Sequence, residues 1–153
     1  MKINIKKLII SILIPLGLGT IVGLLTSAGN NYNEIVEPSF APPAILFPIV
    51  WSILYILMGI SSYIVSESND TNKEQALSIY WFQLGVNLLW SFVFFTFKLY
   101  FIAFLWIISL IILVVIMIKR FYNISKISGL IQIPYLLWLI FASILNFSIF
   151  TLN

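Results

Sequence analysis

Five stretches of this chain carry no charged side chain, and each is long enough to cross a lipid bilayer as an α-helix. The thirteen charged residues fall between them, leaving residues 8–33, 38–66, 75–97, 99–118 and 127–153 free of Asp, Glu, Lys and Arg. About 20 helical residues, rising about 1.5 Å each, span the hydrocarbon core. No water reaches the peptide groups there, so the backbone must bond within its own segment and the stretches are read as helices. A transmembrane β-barrel would show many strands of about ten residues with alternating polarity, a pattern absent here. A soluble fold is excluded by composition: 8% of residues are charged, against about a quarter in soluble domains. The reading is an all-α, polytopic membrane protein, a single five-helix domain over residues 1–153. Its helices are expected at about 6–27, 45–65, 77–97, 100–118 and 127–150, with an extracellular loop at 28–44.

The cations orient the bundle. With five spans, Lys2, Lys6, Lys7, Lys73, Lys119, Arg120 and Lys126 fall on one side and Lys98 alone on the other. The positive-inside rule makes the seven-cation side cytoplasmic, with the N-terminus in and the C-terminus out. Loop 1, with Glu34 and Glu37, then faces outside. The apolar run after the N-terminal lysines is longer than the roughly 7–15 residues of a signal-peptide core. It is read as a retained first helix.

Polar residues at membrane depth hold most of the functional information. On the second helix Trp51, Tyr55, Met58 and Ser62 share a face at helical spacing. On the third, Gln83, Asn87, Trp90 and Phe94 do the same, and on the fifth Tyr135, Trp138, Ala142 and Asn146. Carboxamides in hydrocarbon are costly without partners. One reading makes these residues interhelical glue and interfacial belts. The other lets the three faces converge on an aromatic cavity for a large, flat, mostly apolar ligand. Loop 1, with Pro38, Pro42 and Pro43 fixing an extended course and Ile35, Val36 and Phe40 adding apolar surface, reads as an ordered lid. Taken together, the faces and the lid favour the cavity. Gly19 and Gly23 permit close helix packing, expected within the monomer. The fourth helix is the most uniformly apolar and is expected to face lipid broadly.

What is missing narrows the chemistry. The chain has no histidine and no cysteine, so no metal site is expected and haem ligation through either residue is excluded. No ionisable relay of the kind pumps and coupled transporters use lies within a span. A nucleophile–base pair is absent too. The net charge of +3, concentrated at the N-terminus, reads as a membrane anchor and not as a nucleic-acid surface.

Several motifs in order resemble the tryptophan-rich sensory protein and peripheral benzodiazepine receptor family, also called the translocator protein family. They are Pro38-Ser39-Phe40-Ala41-Pro42-Pro43 in loop 1, Pro48 followed by Trp51, and Leu54-Tyr55-Ile56-Leu57-Met58-Gly59. Gln83-Leu84-Gly85-Val86-Asn87-Leu88-Leu89-Trp90-Ser91 follows, then Pro134-Tyr135-Leu136-Leu137-Trp138 with Phe141-Ala142 and Leu145-Asn146. The resemblance runs from Gly17 to Asn153.

That resemblance implies a five-helix bundle, commonly a homodimer, in the bacterial plasma membrane, with a ligand cavity under loop 1. It implies binding of protoporphyrin IX or a related tetrapyrrole, with no cofactor required, and in some bacterial members light- and oxygen-dependent porphyrin degradation. On that view Trp51 and Trp138 face the macrocycle as redox-active indoles. Phe40, Pro42, Pro43, Tyr55, Gln83, Asn87, Trp90, Tyr135, Ala142 and Asn146 complete the ligand site. Two departures stand out. Phe40 replaces the family's loop tryptophan, and Phe147 and Thr151 break the animal cholesterol motif, so cholesterol recognition is not carried over. A tetrapyrrole exporter and a ligand-responsive scaffold without chemistry are the alternative functions.

Overall fold

The computed structural model describes residues 2–27 and 35–153; the first part of loop 1, residues 28–34 with Glu34, lies outside the described residues. The helices are α1 (Ile5–Ser27), α2 (Leu46–Ser66), α3 (Lys73–Ser91), α4 (Tyr100–Ile124), α5 (Lys126–Leu130) and α6 (Ile133–Leu152). A π-helical turn at Phe92–Thr96 prolongs α3. Among the described residues five segments are long and apolar enough to span a membrane: α1, α2, α3 with its π turn, α4, and α5 joined to α6. No strand occurs among the described residues.

The boundaries differ from expectation where charges served as fences. Helix α3 starts at Lys73, not at 77, and takes Glu74 into its first turn, where a carboxylate favours the helix dipole. Helix α4 runs to Ile124, past the expected end at 118, and carries Lys119 and Arg120 near its C-terminus. Cations suit that end of the dipole, and their long stems can reach out of the hydrocarbon. The helix expected at 127–150 is two helices, broken at Ile131 and Gln132. Pro134 sits in the first turn of α6, where its missing N–H costs little. The chain thus ends one helix and starts another, where the sequence suggested a proline within a single helix.

Packing refines one expectation about exposure: α4 does turn Phe101, Ile102, Leu105, Ile108, Ile112 and Ile116 outward, but only on one side. Helix α4 buries Ala103, Ile107, Leu110, Val114, Met117 and Phe121 along one stripe and packs on α3, α5 and α6. The peripheral element is α1, which buries only Pro15 and Thr26 and rests mainly on α2. Hydropathy cannot tell these apart, because lipid and helix neighbours are equally apolar.

Close contacts fix α1 on α2. Pro15 removes the N–H that would bond the Ser11 carbonyl. That carbonyl lies directly against Gly59, where a Cβ would collide with it and with the Ile12 backbone. Gly19 lies against the Tyr55 ring, whereas Gly23 meets nothing nearby among the described residues. At the α1 start the Asn4 amide donates to the Tyr63 hydroxyl (2.8 Å) and Lys7 pairs with Glu67 (3.3 Å).

The α3–α4 hairpin turns at Lys98, which adopts φ 55°. The Leu99 amide closes back on the Val93 carbonyl (3.1 Å) and the Phe97 amide on Phe92 (2.9 Å). A left-handed residue after a helix is usually glycine, which lacks a Cβ to strain. Farther along the same helix pair, the Trp106 indole donates to the Val86 carbonyl (2.8 Å).

Candidate functional site

The polar faces of α2, α3 and α6 meet in the bundle interior. The Tyr55 hydroxyl donates to Asn87 Oδ1 (2.7 Å), Asn87 Nδ2 donates to Tyr135 Oη (2.8 Å), and the Tyr135 hydroxyl donates to Gln83 Oε1 (2.8 Å). All four side chains are buried. Helical spacing explains the arrangement: Gln83 and Asn87 stand one turn apart on α3 and bracket the single phenol of Tyr135. In apolar surroundings such a chain ties three helices, and each member would be costly if stranded.

Toward loop 1 the network gives way to an aromatic corner. Trp51 stacks on Tyr55, with centroids 5.6 Å apart and planes at 29°. It meets Trp138 at 6.5 Å and 89°, and Tyr135 at 6.3 Å and 68°. The two indoles therefore form an L, one face beside one edge, and not a parallel clamp. Phe47 closes on Trp138 edge-to-face (5.8 Å) and Phe141 lies tilted against it (5.4 Å). The Trp138 Nε1 is buried and has no hydrogen-bond partner among the described residues. An indole N–H in that state is a donor available to a ligand acceptor.

Loop 1 lies against this corner. Phe40 is half exposed and meets Phe141 edge-on at 6.5 Å. Pro42 is partly covered and Pro43 exposed; the Pro43 carbonyl accepts the Leu46 amide (3.0 Å) and so starts the turn into α2. Ile35 packs on the apolar cluster of Phe94, Ala103, Leu145 and Ile149. Asn153 grips the loop backbone with both ends of its carboxamide: Oδ1 accepts the Val36 amide (3.1 Å) and Nδ2 donates to the Val36 carbonyl (3.0 Å).

Two of the expected site residues serve a different contact. The Trp90 indole donates to Asn146 Oδ1 (3.1 Å), and Asn146 Nδ2 donates to the Tyr100 carbonyl (2.8 Å). Asn146 is buried with both ends of its carboxamide engaged, so it fastens α3, α4 and α6 together. Trp90 in turn stacks on Phe94 (5.0 Å, 26°), which the π turn directs inward. Ala142 is buried on α6, on the face of Trp138 and Asn146. The expected residues thus divide into an aromatic corner over a hydrogen-bonded knot, and a separate Trp90–Asn146 fastening.

Sequence reading did not assign Phe47, Phe141, Tyr80 or Gln132 to the site. Tyr80 precedes Gln83 by one turn and Gln132 precedes Tyr135 by one turn, so extending each face toward the lysine-rich end would have found both. At that same end Asp70, Asn72, Gln75, Arg120, Asn123 and Ile124 line a separate cleft of about 280 Å³. Among the described residues no cluster of acidic side chains could hold a metal ion.

Comparison with known proteins converges on one family. Residues 11–152 match the TspO/MBR family. The tryptophan-rich protein TspO of Archaeoglobus fulgidus is 40% identical over 152 residues, covering 98% of this chain and 99% of that one. Protein CrtK of Rhodobacter capsulatus is 37% identical over 133 residues, covering 86% and 83%. The human translocator protein is 30% identical over 146 residues, covering 89% and 84%. The matched region holds every helix of the aromatic corner and the knot beneath it, and the chain belongs to the TspO/MBR family of membrane proteins.

Proposed function

We propose that this protein is a membrane receptor for a tetrapyrrole such as protoporphyrin IX, taken up beside the Trp51–Trp138 corner beneath loop 1. The observation that carries the reading is the corner itself. Two perpendicular indoles offer a flat face and an edge, and Trp138 adds an indole donor without a partner among the described residues. The phenols and the Asn87 carboxamide beneath are engaged with one another, so the wall toward the ligand is aromatic. A large conjugated ring with few polar groups suits such a wall.

Titration of the purified protein with protoporphyrin IX in the dark is expected to quench tryptophan fluorescence saturably, and Trp138→Phe to weaken binding. A flat titration overturns the receptor. Light- and oxygen-dependent breakdown of the bound porphyrin is the catalytic part of the proposal, with Trp51 and Trp138 as the oxidisable rings beside it. Bleaching should then outpace that of free porphyrin and slow in Trp51→Phe and Trp138→Phe. Bleaching at the free rate removes the catalytic part and leaves binding standing.

A further inference from the structure

The knot has a neglected side. Four buried polar atoms on its lysine-rich flank have no partner among the described residues: Tyr80 Oη, Gln83 Nε2, and both Oε1 and Nε2 of Gln132. Tyr80, Gln83 and Gln132 are each fully buried. The Ser62 hydroxyl lies beside that of Tyr80 and donates its own proton to the Gly59 carbonyl (3.0 Å).

These groups share one level of the bundle. Helices α3 and α6 run in the same direction, both away from the lysine-rich end, and the Tyr135–Gln83 bond sets their register. Tyr80 lies one turn before Gln83, and Gln132 one turn before Tyr135. The register places Tyr80 and Gln132 at equal depth. Gln132 sits in the α5–α6 break, where the regular helix is interrupted. A buried carboxamide with neither end bonded is costly, and several such groups at one level are seldom left unsatisfied.

We propose that water molecules bind between Tyr80, Gln83 and Gln132, forming a buried hydration site on the lysine-rich side of the knot. Three side chains with two acceptor oxygens and five donor hydrogens supply the two to four contacts a buried water takes. The waters extend the hydrogen-bonded chain Tyr55–Asn87–Tyr135–Gln83 one turn farther from the indole corner, to the break between α5 and α6. The site is independent of which ligand occupies the corner.

Hydroxyl-radical footprinting of the full-length protein in detergent tests it, because radicals form at bound water inside a protein. Tyr80, buried from bulk solvent, is expected to be labelled well above Phe94, a buried ring in the aromatic cluster at the π turn beyond α3. Gln132→Leu should lower the Tyr80 label to the Phe94 level. Thermal unfolding supplies the second arm. Gln132→Leu is expected to lower the melting temperature by stranding Tyr80, and adding Tyr80→Phe should restore part of the loss. If Tyr80 labels no more than Phe94 in the wild type, the site is dry and the proposal fails; a melting temperature unchanged or raised by Gln132→Leu overturns it equally. Loss of labelling contrast with the thermal rescue intact would show a direct Tyr80–Gln132 bond, which also overturns it.

Discussion

Asn87 is the residue on which the interior hangs, because it accepts from one phenol and donates to another on two other helices. Asn87→Leu keeps the volume and removes both bonds, leaving Tyr55 and Tyr135 to find partners in an apolar bundle. Interhelical hydrogen bonds in membranes contribute about 1–2 kcal/mol at most, so a loss of roughly that size is expected in detergent unfolding. An unchanged unfolding midpoint would mean that the knot does not hold the helices. Trp90→Phe should cost less, since Phe94 still covers the ring and only the bond to Asn146 is lost. At this scale the sequence was informative about which residues share a face and silent about partners. Periodicity put Gln83 with Asn87 and Tyr135 with Asn146, but which side chain on α3 meets which on α6 depends on the rotation of both helices. That is why Asn146, read as a cavity residue, is bonded at both ends to protein.

Among the elements, α1 and the α3–α4 hairpin make the sharpest predictions. Gly59→Ala would drive a methyl into the Ser11 carbonyl and the Ile12 backbone; neither can move as a side chain can. Overpacking of this kind costs about 1–3 kcal/mol, and the unfolding midpoint should fall accordingly. Gly23→Ala, by contrast, meets open space among the described residues and should leave stability nearly unchanged. Lys98 holds a left-handed conformation that costs a non-glycine residue about 1 kcal/mol. Lys98→Gly should therefore raise stability by up to about 1 kcal/mol, read in the same unfolding assay. The spans themselves were legible from the spacing of charges, since charge is what lipid rejects. Their ends were less so, because Lys119 and Arg120 can finish a helix as well as follow one. The α5–α6 break and the π turn left no periodic signature, being shifts of one or two residues within an apolar run.

For the molecule as a whole, surface charge does little of the holding. In the Lys7–Glu67 pair Lys7 is largely exposed and Glu67 partly covered, and pairs at the surface contribute about 0–1 kcal/mol. Glu67→Gln should shift stability by no more than that, and less in high salt. The Asn153 grip on Val36 matters more to access than to stability. Two exposed hydrogen bonds of modest net strength hold loop 1 against the end of α6. On the receptor reading, Asn153→Ala should speed porphyrin dissociation by about fivefold, a factor worth roughly 1 kcal/mol, with little change in unfolding. An unchanged dissociation rate would mean that loop 1 does not gate the corner. One consequence follows from where that grip sits. The described part of the loop is fastened by the far end of α6 as well as by the turn into α2, and Trp138 stands in the first third of the same rod. A tilt of α6 on contact at Trp138 would therefore swing its tip and the loop with it, so that occupancy inside the bundle is displayed at the membrane surface as a lever displays a load.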